Sequence, residues 1–285
     1  MHYISYTYVK VLKDLKFIKL GFKTTIMNYF FVKKIILFIC LISFFKINSQ
    51  YKPEDTELWD PEPIIINPGK NNQPPSDAVI LFDGKDLSKW KASSRIFKGW
   101  KVLGKNKPAQ WTINKDGSMT VLPGKGAIET KDEHGSIQLH IEWKTPKKIV
   151  SSGQGRGNSG IYFQNRYEIQ VLDSYNNRTY SNGQAGSLYK QYAPLVNASR
   201  PPGQWQEYDI IFEEPKYAIN GEEIKSGRLT VFHNGILVQN NVEIIGTTEY
   251  IGPPKTKMTD FPKKALKIQD HGNLVSYRNI WYRKL

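Results

Sequence analysis

After Gly69 no stretch of this chain repeats its apolar residues at helical spacing, whereas period-two alternation recurs. Ile137-Gln138-Leu139-His140-Ile141-Glu142-Trp143 alternates apolar and polar residues without a break. Successive side chains on a strand point to opposite faces, so the segment predicts a strand with one buried and one polar face. On this reading His140 and Glu142 lie on the exposed face, while Trp143 and, further on, Trp281 belong to the core. Ile161 to Gln164 and Tyr167 to Leu172 form a second strand pair across Asn165-Arg166. Arg228 to Phe232 and Ile236 to Gln239 flank His233-Asn234-Gly235, and Asn-Gly between apolar runs is the strongest short hairpin signal. Glu207 to Phe212, Leu266 to Gln269 and Tyr277 to Tyr282 continue the series. More than eight strands with long loops predict an all-β fold, a jelly-roll sandwich of two antiparallel sheets in a single domain. The 13% aromatic content agrees with strands rather than a helix bundle.

The net charge of +14 invites a nucleic-acid reading until it is divided by region. Residues 1–50 hold eight Lys and one acid, Asp14, which leaves 32 bases against 25 acids in the remainder. Those bases are scattered, with no stripe that could follow a phosphate backbone, so no nucleic acid is expected as partner. Within residues 1–50, Lys33-Lys34 precedes an apolar run from Ile35 to Phe45 and a small, polar Asn48-Ser49-Gln50. The run is too short for a membrane span, which needs about 20 residues, and reads as an export signal beginning at Met1 or Met27. Periplasmic, surface or secreted placement follows, with a membrane met only through that signal. Residues 51–76 are rich in Pro, Asn and acids and read as a linker or arm, leaving 77–285 as the domain. The one cysteine, Cys40, lies in the apolar run, so the exported part has neither disulfide nor thiol nucleophile.

Chemistry concentrates in two places. Glu168 and Gln170 lie two apart on one strand and share a face, with Ile169 and Val171 turned to the core. Asp173 is out of phase, and a β-bulge near Leu172 would bring it onto the same face. Glu168-x4-Asp173 is also the spacing of sandwich-type retaining glucanases, but Gln170 stands where those have a carboxylate. The second place is Gln269-Asp270-His271-Gly272-Asn273, followed by Arg278. Asp270 either orients His271 or caps the turn. Asn158, Ser159 and Lys190 sit in polar loops and could bond sugar hydroxyls. No phosphate loop, dinucleotide fingerprint, zinc signature or nucleophile elbow is present.

Leu81-Phe82-Asp83-Gly84-Lys85-Asp86-Leu87 with Trp90, Gly157-Asn158-Ser159-Gly160-Ile161-Tyr162, Tyr167-Glu168-Ile169-Gln170-Val171-Leu172-Asp173-Ser174, Pro201-Pro202-Gly203-Gln204-Trp205, Gln269-Asp270-His271-Gly272 and Arg278-Asn279-Ile280-Trp281 follow in one order. Over about residues 78–285 the chain resembles the 3-keto-disaccharide hydrolase domain family. The resemblance implies a concanavalin A-like jelly roll, export, a carbohydrate substrate and cleavage of 3-keto-glycosides. A C3 ketone makes the C2 proton acidic, so a base can remove it and the enolate can expel the C1 oxygen, with water adding afterwards. This route needs a base, an acid and groups that stabilise an enolate, and no nucleophilic carboxylate. His271 is the expected base and Glu168 the second choice, which burial would have to bring toward neutral pKa. Asp173 completes the catalytic candidates, with Asn158, Ser159, Gln170, Lys190, Asp270 and Arg278 as substrate-binding candidates. A divalent metal could stabilise the enolate, with Glu168, Asp173 and His271 as possible ligands. A non-catalytic carbohydrate-binding module and an ordinary glycosidase of the same fold are the alternatives. Glu168, Gln170 and His271 are expected to meet in one pocket.

Overall fold

A computed structural model describes residues 27–35, 51–70, 73–93, 95–97, 101–103, 107–255 and 264–285. The chain divides into two units, Met1–Ile64 and Ile65–Leu285. In the first, residues 27–35 are helical and Pro53–Thr56 forms a 3-10 turn. Most of the apolar run expected to drive export lies outside the described residues. No helix among the described residues is long and apolar enough to cross a membrane.

The second unit is built of strands. They are β1 (Val79–Phe82), β2 (Trp90–Ala92), β3 (Arg95–Phe97), β4 (Lys101–Leu103), β5 (Thr112–Ile113) and β6 (Met119–Thr120). Then come β7 (Ile128–His134), β8 (Ile137–Lys144), β9 (Ser159–Phe163), β10 (Tyr167–Val171), β11 (Gln206–Glu213) and β12 (Lys216–Tyr217). The last are β13 (Glu223–Lys225), β14 (Arg228–His233), β15 (Ile236–Glu243), β16 (Lys264–Ile268) and β17 (Ser276–Lys284). One sheet runs β15-β14-β11-β8-β17-β6-β5, with β1 as an eighth strand paired to β17. The other runs β10-β9-β16-β7-β2. Every pairing in both is antiparallel, as the jelly-roll expectation requires.

Alternation places the core between the sheets. Ile137, Leu139, Ile141 and Trp143 of β8 join Tyr208, Ile210 and Phe212 of β11 against Ile161 and Phe163 of β9 and Ile169 and Val171 of β10. Phe163 and Phe212 stack across the gap with ring centroids 4.9 Å apart. Each such side chain contributes roughly 1.5–3 kcal/mol by leaving water. The Asn234-Gly235 hairpin forms as the sequence predicts, both residues at positive φ (53° and 78°), the geometry of a tight two-residue turn.

The polar face of β8 is a correction. His140 and Glu142 are buried, not exposed. The Trp281 ring stacks on the His140 imidazole at 5.1 Å, and Arg278 and Asn279 of β17 close over Glu142. Strand β17 can do this because its register to β8 shifts between Arg278 and Trp281, where Asn279 takes a φ of 47°. Trp281 is therefore buried as expected but packs on a polar network.

Candidate active site

Strand β10 turns Ile169 and Val171 into the core and Glu168 and Gln170 to the outer face of the five-stranded sheet, where a cavity of about 910 Å3 opens. Its walls include Gln154, Asn158, Tyr162, Glu168, Gln170 and Tyr189, with Lys190, Tyr250, Gln269 and His271 also contributing. Glu168, Gln170 and His271 thus meet in one cavity, as expected from sequence. Among the described residues lining it, Glu168 is the sole carboxylate.

Glu168 is 3% exposed. Burial raises its pKa to about 7, and a hydrogen bond from the Tyr162 hydroxyl and the charge of Lys267 hold it from rising further. Tyr162 stands directly opposite Glu168 across β9 and β10. The carboxylate has room because the neighbouring residue on β9 is glycine. A Cβ on Gly160 would come within 2.2 Å of Glu168 Oε1, so any side chain there would displace the carboxylate. The backbone N–H of Glu168 is anchored on Thr248 Oγ1 at 2.9 Å.

Beside it, Gln170 Nε2 donates to Gln154 Oε1 at 2.8 Å. Gln170 Oε1 and Gln269 Oε1 are buried and make no hydrogen bond among the described residues. Asn158 Nδ2 donates to the Gln154 carbonyl at 2.7 Å. Lys190 lines the cavity, its Nζ donating to the Tyr250 carbonyl and lying 4.8 Å from the Tyr250 ring centroid. Tyr180 and Tyr189 share a hydroxyl contact of 2.5 Å. His271 is exposed at the wall.

Four expected site residues do not line the cavity. No bulge forms in β10, whose register to β9 is unbroken, and Asp173 beyond its end is held by Arg156 Nε at 2.7 Å. The Ser159 hydroxyl donates to the Gln269 carbonyl at 2.7 Å and accepts from the Tyr277 hydroxyl at 2.7 Å. Asp270 caps: Oδ2 accepts from the N–H groups of Gly124 and Gly126, and Oδ1 from Gly272. It fixes the turn carrying His271 rather than meeting a ligand. Arg278 sits on the eight-stranded sheet, 2.6 Å from Glu142 and over the Trp205 ring at 4.2 Å.

The loss of Asp173 also removes a ligand from the expected metal set. Glu168 and His271 remain, and among the described residues no group of three or more His, Cys, Asp or Glu is placed to hold an ion. Among the described residues the donors do not fit that reading.

Sequence reasoning did not single out Tyr162, Tyr180, Tyr189, Tyr250, Gln154 or Thr248. Tyr162 was within reach, since pairing β9 with β10 across Asn165-Arg166 sets it opposite Glu168. The others arrive from loops whose course no periodicity reports.

Residues 77–283 match the 3-keto-alpha-glucoside-1,2-lyase-like domain, and the chain belongs to that family. It is a carbohydrate-active enzyme. It is 42% identical to a candidate glycosyl hydrolase of known structure from Parabacteroides distasonis ATCC 8503, covering 83% of this chain and 98% of that one with a TM-score of 0.76. A second candidate glycosyl hydrolase of the same organism is 21% identical over 73% of this chain and 94% of its own, with a TM-score of 0.47. No curated protein matches the chain.

Proposed function

We propose that the enzyme cleaves 3-keto-glycosides by elimination, with Glu168 as the base. The observation that carries this reading is Glu168, the one carboxylate among the described residues lining the cavity, buried and poised with a pKa near 7. Ordinary glycosidases need two carboxyl groups, one on each side of the scissile bond. Elimination needs one base near neutral pKa. The order expected from sequence is thereby reversed. Glu168 has the burial its role demands, and exposed His271 is better suited to the leaving group.

Glu168 takes the proton from C2, and the electron pair moves into the C2–C3 bond as the C3 oxygen becomes an enolate. The enolate then expels the C1 oxygen, which leaves as an alcohol after gaining a proton, for which His271 is the donor. Water adds across the resulting enone and gives the free 3-keto sugar. Lys190 and the tyrosine hydroxyls supply donors for the developing enolate. Gln170 and Gln269 line the cavity as polar walls for the sugar. The 3-keto-alpha-glucoside-1,2-lyase-like family supports the substrate class, and the likeness to a candidate glycosyl hydrolase from Parabacteroides distasonis supports a glycoside substrate.

The test is incubation with a 3-keto-disaccharide and with its unoxidised parent. Cleavage of the oxidised sugar alone is expected. Cleavage of the parent would make the protein an ordinary glycosidase, and binding without turnover would make it a binding module. We further propose that the N-terminal segment directs export and is removed before Asp55. Intact mass of the exported protein checks this, and a mass retaining Ile35 to Phe45 would contradict it.

A further inference from the structure

Five residues stand directly opposite one another across the whole five-stranded sheet. Glu168 of β10 faces Tyr162 of β9, Tyr162 faces Lys267 of β16, Lys267 faces Glu129 of β7, and Glu129 faces Lys91 of β2. Opposite residues on paired strands project to one side, so the row runs along the outer face from the cavity toward the far edge. Lys267 Nζ lies 4.0 Å from the centre of the Tyr162 ring, a cation on an aromatic face. Lys267 is half-buried and does not line the cavity. Its other neighbour in the row, Glu129, is already engaged: Oε2 accepts from Ser93 at 2.8 Å and Asn165 at 3.2 Å, and Oε1 lies 3.6 Å from Lys91 Nζ.

We propose that Lys267 is a positioning residue for the base. Its ammonium pins the Tyr162 ring so that the hydroxyl points at Glu168, and its charge, one ring away, keeps that buried carboxylate able to ionise. The aromatic ring between them is the essential part. A direct Lys–Glu contact would neutralise the carboxylate as a base, whereas a cation held behind a phenol helps it ionise and leaves its oxygens to the substrate. The other titratable groups around Glu168 do not do this work. Tyr162, Tyr189 and Tyr277 stay neutral because burial holds each phenol above its ordinary range. Lys190 is drawn to the Tyr250 carbonyl, and His271 is exposed to water. Burial weakens Lys267 as an acid-base cation, with Glu168 and Glu129 opposing that effect.

The inference rests on Glu168 as base, so its test reads Glu168 directly. Protein labelled with 13C at the glutamate carboxyls is titrated by NMR, the Glu168 signal being identified by its loss in Glu168→Gln. Lys267→Met should raise the Glu168 midpoint by about one unit. Lys267→Arg should return it close to wild type. The acid limb of kcat/KM on a 3-keto-disaccharide should move with the midpoint, through kcat rather than KM. A folded Lys267→Met with an unmoved midpoint would overturn the proposal. If Lys267→Met does not fold, Lys267→Gln is titrated instead under the same criterion. Full cleavage by Glu168→Gln would instead remove the base assignment and leave the titration result to stand by itself.

Discussion

Two buried carboxylates lie on the outer faces of the two sheets and behave in opposite ways. Glu142, on the eight-stranded sheet, is held down at a pKa of about 2. Burial would raise it, but His140, Asn279 and Arg278 all bond it and Arg278 adds its charge. Glu168, on the five-stranded sheet, sits at about 7 because burial outweighs one phenol and one cation kept behind a ring. Both are largely shut off from solvent, 8% and 3% exposed, but Glu168 lies the deeper, and burial is the first cause of its raised pKa. Burial would raise Glu142 too, and it is the donors on its oxygens that reverse the direction there. Glu142 is fully engaged and holds β8 to β17, whereas Glu168 keeps acceptor capacity and faces a cavity. The first arrangement ties two strands together, and the second is the one the proposed base requires.

The largest expected effect breaks the comparison at Glu168. Glu168→Gln should lower kcat/KM on a 3-keto-disaccharide by roughly a thousandfold, whereas Glu142→Gln should leave it within a few-fold. Steady-state kinetics of both variants checks this, and equal losses would erase the distinction. Gly160→Ala should cost about a hundredfold in kcat, because the added methyl displaces the carboxylate while the fold accepts it. A wild-type melting curve with lowered kcat is the expected pair of results. His271→Ala should cost less, about tenfold, if its part is protonation of the leaving group.

Stability should divide the same way. Glu142→Gln is expected to cost about 2 kcal/mol by urea unfolding, since it strips a charged partner from His140 and a half-exposed Arg278. Glu168→Gln should stabilise the protein at alkaline pH. The native pKa of about 7 lies above the ordinary 4.5, so ionising the native carboxylate destabilises the fold, a penalty absent below about pH 4.5 and complete above about pH 7. Over that window the stability of Glu168→Gln should rise relative to wild type by up to about 3 kcal/mol, read as a rising difference in melting point. His140 has the later window. Burial disfavours its cation, but Asp209, 2.7 Å away, and Glu142 raise it from 6.5 to about 9. Its contribution is full below about pH 6.5 and lost as pH rises through 9. The cost of His140→Gln should therefore shrink between those values, as thermal melts across pH would register. A constant cost would mean that His140 is neutral in the native state.

The same two faces mark what the sequence made legible. Alternation in β8 and the Asn234-Gly235 turn fixed the strands and their inward residues, because burial on one face writes itself as period two. Alternation cannot say what covers the other face. His140 read as exposed because its cover, Trp281, stands about 140 residues later and reaches it through a register shift at Asn279. Glu168 and Gln170 were legible because their spacing sets them on one face. Asp173 was not, since its fate depended on Arg156, whose direction no spacing reports. Asp270 and His271 are neighbours in sequence, yet one caps backbone and the other faces the cavity, a division that only the turn determines.

Proton transfer at C2 is the step proposed for Glu168, and isotope labelling reads it directly. Cleavage of a 3-keto-disaccharide in heavy water, corrected for exchange without enzyme, should place deuterium at C2 of the released 3-keto sugar. Glu168→Gln should lower cleavage and enzymatic exchange together, each by roughly a thousandfold. A wild-type product unlabelled at C2 would show that the C1 bond breaks by direct displacement, and would contradict elimination and the assignment of Glu168 as its base.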